Sequence, residues 1–154
     1  MKPTVGEMAP DFTATIVDGE NESEISLESL RGETVVLYFY PKDNTPGCTI
    51  QACSLRDNWD KIKSKARVFG ISADSVESHR KFISKKSLPF PLIADTDKKI
   101  SEAYGVSVEK SMFGKKFMGI ERSTFVIGPD GQLVAILEKV SPTSHTTKLS
   151  EILG

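Results

Sequence analysis

The stretch TVVLYFY, Thr34 to Tyr40, constrains this chain more than any other. It is a continuous apolar run, rich in β-branched and aromatic residues. Such a run describes a strand buried on both faces of a sheet. Pro41 ends it, and KDNTPG leads into a helical pattern from about Cys48 to Ala66. Ile50, Leu55, Trp59 and Ile62 recur there at roughly helical spacing. RVFGISA, Arg67 to Ala73, reads as a second buried strand. SVESHRKFISKKS follows as an amphipathic helix, with Ser75 as N-cap and Val76, Phe82 and Ile83 on the inner side. A strand, helix, strand, helix order makes parallel pairing the default.

The second half is built differently. FPLIAD (Phe90 to Asp95) is a short strand, and Asp97 to Gly105 a short helix that Gly105 ends. KKFMGI, RSTFVIG and LVAILEK then alternate with turn signals. GPDG, Gly128 to Gly131, joins the last two as a hairpin. A helix from about Thr143 to Leu153 closes the chain. At the front, TATIVDGENESEIS (Thr13 to Ser26) suggests a hairpin turning at Asp18-Gly19. A parallel βαβ half joined to an antiparallel half and a terminal helix is the layout of a thioredoxin-like α/β fold. Its central mixed sheet would be flanked by helices, with an N-terminal β-hairpin. No repeat, low-complexity tract or linker divides the 154 residues, so residues 1–154 are expected to form one domain.

Composition excludes several functions. A formal net charge of −1 offers no broad field to attract nucleic acid or an anionic membrane. No run of ~18 apolar residues exists to span a bilayer. The N-terminus, MKPTVGEMAPDF, has neither an apolar signal core nor a basic amphipathic pattern, so a cytoplasmic protein is expected. Two cysteines are too few for a disulfide scaffold. In a reducing compartment a close pair points to catalysis or metal binding.

Those cysteines, Cys48 and Cys53, follow the buried strand directly. The strand delivers the chain to the sheet's carboxyl edge, where open α/β sheets place their ligand sites. Thr45 can cap the helix, Pro46 suits its first turn, and Cys48 falls within that turn. Free N–H groups and partial positive charge gather there. They favour a thiolate over a thiol, whose ordinary pKa is about 8.5. Cys53 lies five residues on. In an intact helix five residues rise about 7.5 Å and turn about 500°, leaving the Cα atoms roughly 8 to 9 Å apart. A disulfide needs them within about 7 Å. A bond between the two would require the first turns to unwind. A zinc site would need two more ligands, and only His79 and His145 are available, at no typical spacing. Cys-x-x-Cys is absent. Two inert cysteines, serving as small apolar residues, are the plainer alternative.

Pro41, Thr45 and Cys48 form PxxxTxxC directly after YFYPK. With that motif the chain resembles the peroxiredoxins. The longer string YPKDNTPGCTIQACSLRD is similar to the bacterioferritin comigratory protein, or peroxiredoxin Q, branch. VGEMAPDFTATIVDG, ISLESLRGETVVLYFYP and ERSTFVIGPDGQLV extend the resemblance over the whole chain. Gln51 departs from it, since the branch often has Glu there, and this bears on one local hydrogen bond.

The resemblance implies a thiol-dependent peroxidase acting on hydrogen peroxide and organic hydroperoxides. Cys48 would attack the peroxide and become a sulfenic acid. Cys53 would condense with it as the resolving cysteine, giving an intramolecular disulfide. Thioredoxin, or alternatively glutaredoxin, would reduce that bond. Thr45, Gly47, Cys48 and Arg122 would bind the peroxide, with Arg122 supplying a cation and Pro41 shaping the pocket. Read without the resemblance, Arg122 is an exposed strand arginine paired with Glu121. No flavin, haem or metal is required. With the resolving cysteine in the same chain, a monomer is expected. A thiol redox sensor or disulfide relay on the same fold is the alternative. Among other residues, Arg56 reads as a surface ion pair, Tyr38 and Trp59 as core, and His79 and His145 as surface or capping residues.

Overall fold

The apolar run folds as a strand, Val35–Phe39, in which every residue is buried. The computed structural model describes residues 2–154. Its first half holds strands β1 (Thr13–Asp18) and β2 (Asn21–Ser26), then β3 (Val35–Phe39). Helices α1 (Pro46–Asp57) and α2 (Trp59–Ile62) lead to β4 (Arg67–Ser72), α3 (Val76–Lys86) and β5 (Leu92–Ala94). The second half holds α4 (Lys99–Ala103), β6 (Ser107–Met112), β7 (Lys115–Ile120), β8 (Ser123–Ile127), β9 (Leu133–Leu137) and α5 (His145–Leu153).

Seven strands form one sheet in the order β2-β1-β5-β4-β3-β8-β9. β3, β4 and β5 are parallel, while β1, β2, β8 and β9 pair antiparallel to their neighbours. This is the expected mixed sheet. The period of two along β3 divides its side chains between two cores. Val35, Leu37 and Phe39 pack with Ile100 and Tyr104 of α4 and its flank. Val36, Tyr38 and Tyr40 pack with Ala52 and Leu55 of α1, Phe82 and Ile83 of α3, and Leu149 of α5. A strand covered on both sides must be apolar at every position, which is why TVVLYFY shows no alternation. Gly70 is required where Tyr38 crosses β4: a Cβ there would lie 2.7 Å from the tyrosine Cζ and Oη and from Leu92 Cδ2. Among the described residues no helix is long and apolar enough to cross a membrane.

Several local expectations hold. β1 and β2 pair through a turn at Gly19, whose φ is +63°. β8 and β9 pair across GPDG. Ser75 caps α3, its hydroxyl accepting from the Ser78 N–H at 3.1 Å. Gly105, at φ +70°, follows the end of α4.

Three expectations are corrected. The helix from Cys48 to Ala66 is two helices, broken at Asn58, whose side chain donates to the Ser54 carbonyl at 2.8 Å. An asparagine that satisfies a terminal carbonyl competes with helix continuation. Leu55 and Ile62 are nonetheless both buried in one core, so their spacing carries across the break. KKFMGI pairs with the unanticipated β6, in a separate two-stranded sheet. Lastly, His79 and His145 are fully buried rather than on the surface.

Candidate active site

Topology brings Arg122 and Cys48 together. β3 runs antiparallel to β8 with Phe39 opposite Ser123. Arg122, one residue before β8, therefore arrives at the end of β3, where the chain turns toward α1. Pro41 stands at that end, half-buried. Pro46 is the first residue of α1, and its fixed φ suits that place. Cys48 is the third, 2 % exposed.

Thr45 occupies the N-cap position with extended backbone, and its carbonyl accepts from the Thr49 N–H at 2.8 Å. Its side chain does not cap the helix as expected. The hydroxyl donates to the Lys42 carbonyl at 2.9 Å, because the turn folds that carbonyl back within reach. The hydroxyl proton is thus committed, and the oxygen's lone pairs are what Thr45 can offer. Among the described residues no side chain caps the first turn of α1. Its first-turn N–H groups, including those of Gly47 and Cys48, have no partner within the helix.

Arg122 is held on both sides. Nη1 donates to Gln51 Oε1 at 2.6 Å, and Nη2 to Cys48 Sγ at 3.4 Å. Gln51 lies three residues after Cys48, one turn along the same face, and is fully buried. The local hydrogen bond that its identity put in question is therefore made. Gln51 Nε2 has no partner among the described residues. Gly47 allows the close approach: a Cβ there would lie 3.2 Å from Arg122 Nη2 and 3.3 Å from Pro142 Cγ. Thr45, Gly47, Cys48 and Arg122 thus converge at one end of α1.

Glu121 is not the partner of Arg122. It accepts from Lys2 at 2.5 Å and from the Ser123 hydroxyl at 2.6 Å. Burial pushes its carboxyl up, but these bonds outweigh burial and hold it below the usual range. Beside Arg122 a groove of about 490 Å³ opens, lined also by Val108, Lys110, Lys139 and Val140.

Both cysteines are free thiols within the uninterrupted α1, Cys48 buried and Cys53 half-buried. Arg56 pairs with Asp57 at 3.0 Å and donates to the Lys86 carbonyl at 2.7 Å, a local surface role.

His145 also packs against this region, and sequence reasoning missed it. It lies four residues before the buried Leu149, on the inner side of α5, and that spacing was the signal. One ring nitrogen bonds Thr124 Oγ1 at 2.7 Å, and the other has no partner among the described residues. Burial first, and then the Arg122 charge, push its pKa down to about 4. The unfolded chain takes up a proton near pH 6.5 that the folded chain refuses. Stability is therefore fully present above that pH and falls as pH drops toward 4. Urea unfolding should lose about 2 kcal/mol between pH ~7 and pH ~5, and His145→Gln should flatten that slope. An equally steep slope in the variant would assign the effect elsewhere.

Residues 5–136 match the AhpC/TSA family. A bcp-type peroxiredoxin of Coxiella burnetii is 46% identical over 155 residues, covering 100% of this chain and 99% of its own length. Peroxiredoxin Bcp of Bacillus subtilis is 41% identical, over 97% of this chain and 94% of its own. The bacterioferritin comigratory protein of Xanthomonas campestris superposes with a TM-score of 0.84 at 36% identity, covering 92% of this chain and 89% of that one. A peroxiredoxin Q of Xylella fastidiosa gives a TM-score of 0.88 at 32% identity, over 97% and 94%.

Proposed function

Since the chain belongs to the AhpC/TSA family, in its bacterioferritin comigratory protein or peroxiredoxin Q branch, we propose that it reduces hydroperoxides through Cys48 and Cys53. The observation that carries this is the buried Cys48 thiol in the first turn of α1, 3.4 Å from an arginine that Gln51 holds in place.

The Cys48 thiolate attacks one peroxide oxygen, forming an S–O bond as the O–O bond breaks. The leaving hydroxide or alkoxide takes up a proton. Charge moves from sulfur to oxygen along this path, so donors fixed beside it favour the transition state. The Arg122 guanidinium and the free N–H groups of α1 are such donors. The Thr45 oxygen, its hydroxyl already donating to the Lys42 carbonyl, accepts a hydrogen bond from the bound peroxide. Pro41 shapes the pocket wall and limits water near the sulfur. The groove beside Arg122, with Val108 and Val140 in its wall, supports organic hydroperoxides as substrates. The Xanthomonas relative is described as reducing alkyl peroxides.

Cys48 leaves this step as a sulfenic acid. The Cys53 thiol attacks its sulfur, water leaves, and a disulfide forms. Since both residues sit five apart in an intact helix, α1 must open first. A dithiol partner then reduces the bond by thiol exchange, with thioredoxin as the reading and glutaredoxin as the alternative. Because the resolving thiol comes from the same chain, the protein acts as a monomer, a single domain working in the cytoplasm.

Stopped-flow fluorescence tests this. Trp59 lies two residues beyond α1, half-buried against Phe90 at a centroid distance of 5.6 Å, so it reports on opening of the helix. Wild type should respond to peroxide orders of magnitude faster than a free cysteine. Oxidation no faster than that would leave a thiol sensor or relay instead. Cys53→Ser should be oxidised once and then fail to turn over with thioredoxin. Sustained turnover by this variant would remove Cys53 from the cycle.

A further inference from the structure

A dense hydrogen-bonded cluster lies outside the reacting groups. Asp43, in the turn before α1, is 6% exposed. Its Oδ1 accepts from the Tyr40 hydroxyl at 2.5 Å. Its Oδ2 accepts from the Ser78 hydroxyl at 2.8 Å and meets His79 Nδ1 at 2.7 Å. Its backbone N–H donates to Asp74 Oδ2 at 2.8 Å, and the Ser72 hydroxyl donates to the same oxygen at 2.6 Å.

His79 is fully buried, with Nε2 2.9 Å from the Ile93 carbonyl. A carbonyl only accepts, so Nε2 carries a proton. Nδ1 faces a carboxylate oxygen, so a second proton lies between the ring and Asp43. The two residues form one proton-sharing unit. Burial first, and the nearby Asp43 next, push the Tyr40 phenol well above its usual range, so it stays a donor. Asp43, Asp74 and His79 present ligand atoms within 4.8 Å of one another. Each of those atoms is already hydrogen-bonded, so the cluster is a filled network and not an open metal site.

The network ties one turn to four elements: Tyr40 at the end of β3, Ser72 and Asp74 at the end of β4, Ser78 and His79 of α3, and Ile93 of β5. Removing one member strands a buried polar partner, which costs more than the bond itself contributes. Among the described residues no hydrogen bond joins these groups to Cys48. What they fix is where α1 begins. The first turn of α1, by contrast, carries no side-chain cap among the described residues.

We propose that the Asp43–His79 pair is a positioning device for the peroxide step. It locks the turn that aims the start of α1, and leaves the segment after Thr45 free to open for disulfide formation. This rests on the peroxidase reading above. A misplacement of the nucleophile by about 1 Å can cost on the order of 10²-fold in rate.

The test separates the two chemical steps of the full-length protein. Stopped-flow traces resolve a phase proportional to peroxide, which is Cys48 oxidation, and a peroxide-independent phase, which is disulfide formation. Glutamine retains a donor but cannot share a proton. His79→Gln should slow the first phase by roughly 10-fold or more and leave the second within about twofold. A merely structural role gives the opposite pattern: a loosened α1 opens faster, so the second phase accelerates while the first holds. In proton NMR the shared proton should give a strongly downfield exchangeable resonance, missing from His79→Gln. Ser78→Ala removes a single donor to Asp43 and should slow the first phase by about threefold. It decides alone if the histidine variant does not fold. A first phase at the wild-type rate in His79→Gln, or in Ser78→Ala where that variant decides, overturns the proposal. A slow wild-type protein would instead overturn the peroxidase reading.

Discussion

Cys48→Ser protein gives no peroxide-driven fluorescence change at any peroxide concentration. Serine fits the space left by cysteine, so α1 and the Arg122 contact region keep their shape. The chemistry is lost because a hydroxyl is a far weaker nucleophile toward peroxide than sulfur. Cys53 cannot take over the attack. It lies five residues further along α1, away from the first turn, and has no bond to Arg122. Signal loss with unchanged thermal unfolding is the expected result. A Cys48→Ser protein that still consumes peroxide at a substantial rate would move the reactive thiol elsewhere.

Arg122→Met should lower the second-order rate constant for peroxide by roughly 10² to 10³-fold. The arginine donates to the sulfur and to Gln51 from two different nitrogens, so its planar fork spans both partners. Methionine fills a similar volume and supplies no donor. Arg122→Lys should recover only part of the loss, because one ammonium on a flexible stem cannot hold both bonds in fixed geometry. The effect should fall on the rate with peroxide and leave the later disulfide step nearly unchanged. Wild-type rates in Arg122→Met would mean that α1 alone supplies the needed charge.

The sheet was legible where burial leaves its mark on composition. VVLYFY and VFGI are apolar throughout because β3 and β4 are covered on both faces there. The start of α1 was legible because Pro46 and Cys48 follow a buried strand directly. β6 was not, since four of the six residues of SVEKSM are polar and it pairs with β7, away from either core. The break at Asn58 was hidden because Leu55 and Ile62 keep helical spacing on either side of it. His79 was misplaced although it falls three residues from both Val76 and Phe82, on the inner stripe of α3. A histidine on an apolar stripe marks a buried polar partner, and Asp43 supplies it. Arg122 illustrates a different gap. Its neighbour in sequence is Glu121, yet its partners are Cys48 and Gln51, because strand pairing sets them and adjacency does not.

The interruption at Asn58 sets a limit on damage. In the proposed cycle α1 comes apart and re-forms each time Cys48 and Cys53 join. An unbroken helix through to Ala66 would pass that disorder along its axis toward β4 and the middle of the sheet. Instead α1 ends at Asp57, and Leu55 anchors its last turn in the core. The excursion has a far wall at Asn58, as it has a near wall at Asp43. The rest of the molecule is thereby insulated from its own redox state, and amides of β3 and β4 should exchange with solvent at the same rate in the reduced and oxidised protein.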